Sequence, residues 1–103
     1  MIVFNTTYCI DKNAVDEVLL YLKVTYIPAV LASQRLRKPR LSKVMGIEEQ
    51  EAESYSLEFE ADCIENLEEW YMKEGVALNK ALTERFGERA TAFSTLLQPV
   101  SME

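Results

Sequence analysis

The sequence predicts an α+β fold with the element order βαββαβ. Three observations carry this. Residues 54–61 alternate, with Tyr55, Leu57, Phe59 and Ala61 facing one way and Ser54, Ser56, Glu58 and Glu60 the other, the period of two of a half-buried strand. Residues 64–86 place Ile64, Leu67, Tyr71, Leu78, Leu82 and Phe86 at steps of three, four and seven, which is one stripe of a helix. The same strand–helix–strand layout occurs once before, from residue 2 onward.

In chain order, residues 2–10 read as a strand. Ile2, Phe4, Thr6, Tyr8 and Ile10 share one face; Val3, Asn5, Thr7 and Cys9 share the other. Asn13 is the predicted helix cap, with Asp16 and Glu17 in the first turn. Val15, Val18, Leu19, Leu22 and Tyr26 form the buried stripe. Pro28 lacks an N–H and crowds the preceding turn, so the helix kinks or restarts there, and the short segment ends near Ser33. Residues 34–40 are a basic connection holding Arg35, Arg37, Lys38 and Arg40. A strand over 41–47 and an acidic turn over 48–53 follow. Asp62 is the predicted cap of the second helix, with Glu65 reaching back to it. Gly87 ends that helix. Gly75 in its middle costs about 1 kcal/mol against Ala and signals a kink or close packing. Residues 90–98 form the last strand, which Pro99 terminates. Right-handed crossovers convert this order into a ferredoxin-like split: a four-stranded sheet, both helices on one face, and the first and third strands expected parallel at the centre.

A chain of 103 residues reads as a single domain over 1–103. The formal charge is -6, with carboxylates concentrated between residues 48 and 74. That balance argues against nonspecific nucleic-acid binding, which rests on neutralising phosphates. No stretch approaches the roughly 18 apolar residues of a membrane span, and no basic leader opens the chain, so no membrane association and a cytoplasmic location are expected. The sequence contains no histidine. This removes His general bases, Ser-His and Cys-His pairs, and His-ligated haem or zinc. No cofactor and no metal are expected. Cys9 and Cys63 cannot make a zinc site alone. With parallel central strands they would end near one another, yet a cytosolic chain keeps its thiols reduced.

The sheet face away from the helices would carry Val3, Asn5, Thr7, Ser42, Val44, Ser56, Glu58 and either Phe93 or its neighbours. Apolar groups among polar ones favour a face-to-face homodimer whose two sheets close into a barrel, over a water-exposed face. Glu58 and Glu60 on one strand face could act as acid and base if half-buried; the competing reading is solvation, or pairing with Lys43 or Arg40. They also repel phosphate, which excludes the RNA-binding use of this fold. The basic run from Arg35 to Lys43 is read as a solvated loop or as a partner for the acidic turn, the competing reading being a site for phosphate or another anion.

Three segments carry a family resemblance: Tyr26-Ile27-Pro28-Ala29-Val30-Leu31-Ala32-Ser33, Arg85-Phe86-Gly87, and Ala92-Phe93-Ser94-Thr95-Leu96-Leu97. Together they resemble a bacterial domain-of-unknown-function family, itself similar to the dimeric α/β-barrel superfamily that includes antibiotic-biosynthesis-type monooxygenases. Haem-degrading and quinone-forming members of that superfamily use an Asn on the first strand, a Trp on the second helix and a later His. Asn5 and Trp70 resemble the first two. The His has no counterpart, although Lys80 sits nearby. The competing reading leaves Trp70 packed at a helix edge and Asn5 in local hydrogen bonds. The expectation is therefore a small cytoplasmic homodimer with a structural or small-ligand-binding role. The alternative is a cofactor-independent oxygenase or isomerase using Asn5, Glu58 and Trp70.

Overall fold

The computed structural model describes residues 1–46 and 51–102. Strand β1 spans Ile2–Asp11, β2 Arg37–Lys43, β3 Ala52–Ala61 and β4 Ala90–Leu97. The first helical arm is α1 (Val15–Tyr21), a π turn (Leu22–Tyr26) and α2 (Ile27–Ala32). The second is α3 (Ile64–Trp70), a π turn (Tyr71–Gly75) and α4 (Val76–Phe86). The sheet order is β2-β3-β1-β4, and the molecule is a slab measuring 40 × 35 × 18 Å. This is the ferredoxin-like architecture.

The central strands correct the parallel expectation. β1 and β3 pair antiparallel, from Ile2 opposite Ala61 to Asp11 opposite Ala52. Each helical crossover skips one strand, so β3, which follows β2 antiparallel to it, returns between β1 and β2 in the opposite sense. Cys9 consequently stands opposite Ser54, while Cys63 follows Ala61, the partner of Ile2. The two thiols lie at opposite ends of strands that rise about 3.4 Å per residue, far beyond disulfide reach.

The alternation in β1 and β3 holds throughout. Phe4, Tyr8, Ile10, Leu57 and Phe59 are buried beneath the helices. β2 begins earlier than residue 41, because Arg37 and Arg40 pair with Glu60 and Glu58 around a bulge. Lys38 takes a positive φ of 54° within it, and Pro39 fits because β2 is an edge strand. Residues 48–50 of the acidic turn lie outside the described residues. Of its carboxylates, Glu53 belongs to β3 and pairs with Lys43 at 3.2 Å. Of the rest of the basic run, Arg35 holds Glu69 at 2.9 Å, Arg37 holds Asp62 at 2.6 Å, and Lys38 lies 3.9 Å from Glu60.

The predicted caps are not used. A 3-10 turn at Lys12–Ala14 leads directly into α1, without a side-chain bond from Asn13. Cys63 occupies the cap position of α3, because the Asp62 carboxylate is held by Arg37. Two other signals hold. Pro28 sits in the first turn of α2, whose end is closed by the Ser33 hydroxyl donating to the Val30 carbonyl at 2.6 Å. Gly87 ends α4 at φ 57°.

The second stripe is rearranged at its centre. Trp70 is completely buried and Tyr71 is 44 % exposed, the reverse of the regular spacing. The π turn carries the chain across an extra residue, with the Val76 N–H reaching the Tyr71 carbonyl. The buried stripe thus runs Leu67, Trp70, Gly75, Leu82, Phe86. The Trp70 indole lies over Gly75, where a Cβ would come 2.8 Å from Cζ3, and packs on Phe4 at a centroid distance of 5.8 Å.

Tyr8 and Tyr26 meet at the middle of the helix–sheet layer, where their phenols interact electrostatically. Tyr26 in turn donates to Asn79 Oδ1 at 3.2 Å. Burial raises both phenols, with Tyr26 pushed up to about 12 and Tyr8 further.

This packing is testable at two points. Helix propensity alone makes Gly75→Ala stabilising by about 1 kcal/mol, whereas overpacking against Trp70 makes it destabilising by about 1–3 kcal/mol. We expect the second in a urea titration read by the fluorescence of Trp70, the only tryptophan; a raised midpoint contradicts the packing. The tyrosines set the alkaline limit. Their folded pKa values are raised, so their stabilisation is full below the unfolded value of about 10 and is lost as pH rises above it. Denaturant midpoints should fall between about pH 10 and 12. A Tyr8→Phe, Tyr26→Phe variant should show a shallower fall.

Candidate functional site

The second helical arm does not reach across β4. Only Ala90 of that strand is buried, and Ser94 and Leu96 remain exposed although their partners in register, Thr6 and Phe4, are buried. A groove therefore runs between the second arm and the β1–β4 edge of the sheet. It has two basins, of about 530 Å³ and 520 Å³, which share Asn79 and Ser94.

The basins differ in chemistry. The first carries polar groups, among them Thr6, Tyr8, Thr83 and Thr91. The second is apolar and is walled by Phe4, Leu67, Tyr71, Met72 and Leu96. At their junction the Thr6 and Ser94 hydroxyls lie 3.0 Å apart. Asn79 accepts from Tyr26 through Oδ1, which leaves its Nδ2 as a donor. Burial keeps Tyr8 and Tyr26 protonated at neutral pH, so this polar chain is uncharged. Behind the apolar wall stands Trp70, packed on Phe4 and, at 6.5 Å, on Tyr71. Its Nε1 is buried without a hydrogen-bond partner, a cost of about 1–3 kcal/mol that native folds seldom leave unmet.

The sheet separates the three residues singled out from the sequence. Asn5 and Glu58 stand opposite one another in register on the open face. There Ser56 donates to Asn5 Oδ1, and Asn5 Nδ2 lies 3.4 Å from Thr7 Oγ1. Trp70 lies on the other side, under the second arm. Phe93 and Leu97 pair with Thr7 and Val3 and extend the open face, with Phe93 65 % exposed. The sequence reading missed Thr6, Tyr8, Tyr26, Asn79 and Ser94 as site residues. Thr6, Tyr8 and Tyr26 carried a signal, each a polar tip on a face that the periodicity marks as inward; Asn79 and Ser94 carried none. Among the described residues no cluster of three metal-ligating side chains occurs, and no helix is long and apolar enough to cross a membrane.

Solved structures share this architecture at low identity. A candidate antibiotic biosynthesis monooxygenase from Deinococcus radiodurans aligns over 100 % of this chain and 96 % of its own, with 10 % identity and a TM-score of 0.66. A dimeric ferredoxin-like protein from an uncultured marine organism aligns over 98 % and 97 %, with 18 % identity and a TM-score of 0.58. A point mutant of SnoaB, a cofactor-independent oxygenase from Streptomyces nogalater, aligns over 98 % and 95 %, with 12 % identity and a TM-score of 0.60. Likeness at this level establishes the fold. No curated protein matches the sequence. The model of a family described as a domain of unknown function, DUF4286, matches residues 1–100, and the chain belongs to that family.

Proposed function

We propose that this protein is a cytoplasmic homodimer that binds a small ligand in the groove between the second helical arm and β4. The observation that carries the reading is the groove itself. Two basins of opposite polarity meet at Asn79 and Ser94, and a buried indole without a partner stands behind them. Binding sites are commonly concave and largely apolar, with a few placed polar groups.

The dimer reading rests on the open sheet face. Phe93 and Leu97 are exposed there beside half-buried Val3 and Val44. Arg40 and Glu58 stand opposite one another in register, and neither enters an ion pair among the described residues. A two-fold partner can meet both charges. A face of four such strands covers on the order of 500–800 Å², the scale of a standard interface. The cytoplasmic assignment is supported by two cysteines placed too far apart to bridge. Phe93→Glu puts a charge on the β4 edge of that face, opposite Thr7. In sedimentation at micromolar concentration the parent should run as a dimer and the variant as a monomer; a parent that is strictly monomeric removes the dimer.

One observation favours a second reading, a cofactor-independent oxygenase or isomerase. Asn5 is oriented by Ser56 and Thr7 beside Glu58, and a face-to-face dimer would enclose all four. This reading predicts turnover that falls at least about tenfold in Glu58→Gln with folding unchanged. Equal turnover in parent and variant excludes Glu58 from it.

A further inference from the structure

We propose that the groove selects an uncharged ligand, an apolar body bearing a carbonyl-type acceptor, and discriminates against carboxylates and phosphates. The inference rests on the groove being the ligand site and adds the chemistry of what enters it.

Charge supplies the first half. Among the described residues no Lys or Arg lines either basin, and the charged side chains that do are Glu88 beside the polar one and Glu68 beside the apolar one. Neither carboxylate enters an ion pair among the described residues. The neighbouring cations are engaged elsewhere: Lys73 holds Glu69 at 2.7 Å, Lys80 is directed at Glu84, and Arg89 lies between Glu17 and the Phe86 carbonyl. The chain as a whole carries -6. An anion entering the groove would lose water and meet two like charges, with no counter-ion to offset either cost.

Hydrogen-bond polarity supplies the second half. Asn79 stands at the junction of the basins with its oxygen already committed to Tyr26. It therefore presents an amide N–H₂ to the groove. A ligand acceptor satisfies this group, and an apolar body fills the wall of Phe4, Leu67, Met72 and Leu96. The relay behind Asn79 fixes the direction: Tyr26 donates to it, and Tyr8 stands behind Tyr26. Both phenols are neutral donors, so the relay cannot reverse into an acceptor by ionising at physiological pH.

The test uses a neutral and an anionic probe of equal ring size, acetylnaphthalene and naphthoate, titrated into the isotopically labelled full chain. The signals followed are the single indole N–H of Trp70 and the side-chain amide of Asn79. Acetylnaphthalene should shift both, and naphthoate should bind at least about tenfold more weakly. In the Glu68→Gln, Glu88→Gln variant, whose changes are on exposed positions, the difference should shrink to about threefold or less. Naphthoate binding as tightly as the ketone overturns the charge selection while leaving the groove a binding site. If neither probe moves the two signals, the ligand-site reading fails and this inference fails with it.

Discussion

The position of the Trp70 indole is the constraint on which the rest of the helix–sheet layer depends. The ring is fully buried between Phe4 of the sheet and Gly75 of its own helical arm. It fits only because residue 75 has no Cβ and because the arm passes through a π turn. One added residue rotates everything that follows by about 100° around the helix axis. Tyr71 is thereby turned outward, Leu82 and Phe86 stay in the core, and Asn79 arrives at the edge of the groove opposite Ser94.

The same arm shows why the groove exists. Trp70 packs on Phe4 of β1, and of β4 only Ala90, at its start, is buried. The strip of sheet along the groove is mixed, with the Thr6 and Ser94 hydroxyls at its middle and Phe4 and Leu96 in its apolar basin. On the reverse face of the sheet the alternation places a different set, in which Asn5, Ser56 and Thr7 form a hydrogen-bonded row and Phe93 stands exposed beside them. Period-two geometry thus gives one sheet two unlike surfaces. The proposed ligand groove uses one, and the proposed contact with a second copy of the chain uses the other.

Much of the fold was legible in the sequence, because strand alternation and helical stripes depend on burial, which local composition records. Pro28 and Gly87 also marked their sites, since each constrains φ or the N–H directly. The direction of β3 relative to β1, and with it the placement of Cys63, departs from expectation because handedness alone does not account for the skipped strand. The caps at Asn13 and Asp62 failed for a different reason: a 3-10 turn and an ion pair to Arg37, respectively, took over the local geometry. The exchange of Trp70 for Tyr71 could not be read from regular spacing, since a π turn breaks the period on which that reading relies. Gly75 was its trace. Of the candidate site, Asn5, Glu58 and Trp70 were visible by residue type, whereas the groove residues come together only through the packing of the second arm.

Native mass spectrometry of the protein purified from its own cells under mild conditions tests the central claim most directly, because it reports both surfaces at once. The account predicts a dimer carrying a reproducible non-covalent adduct whose mass fits an uncharged compound. A bare monomer at all concentrations would contradict it, leaving both the open sheet face and the groove without the roles argued here.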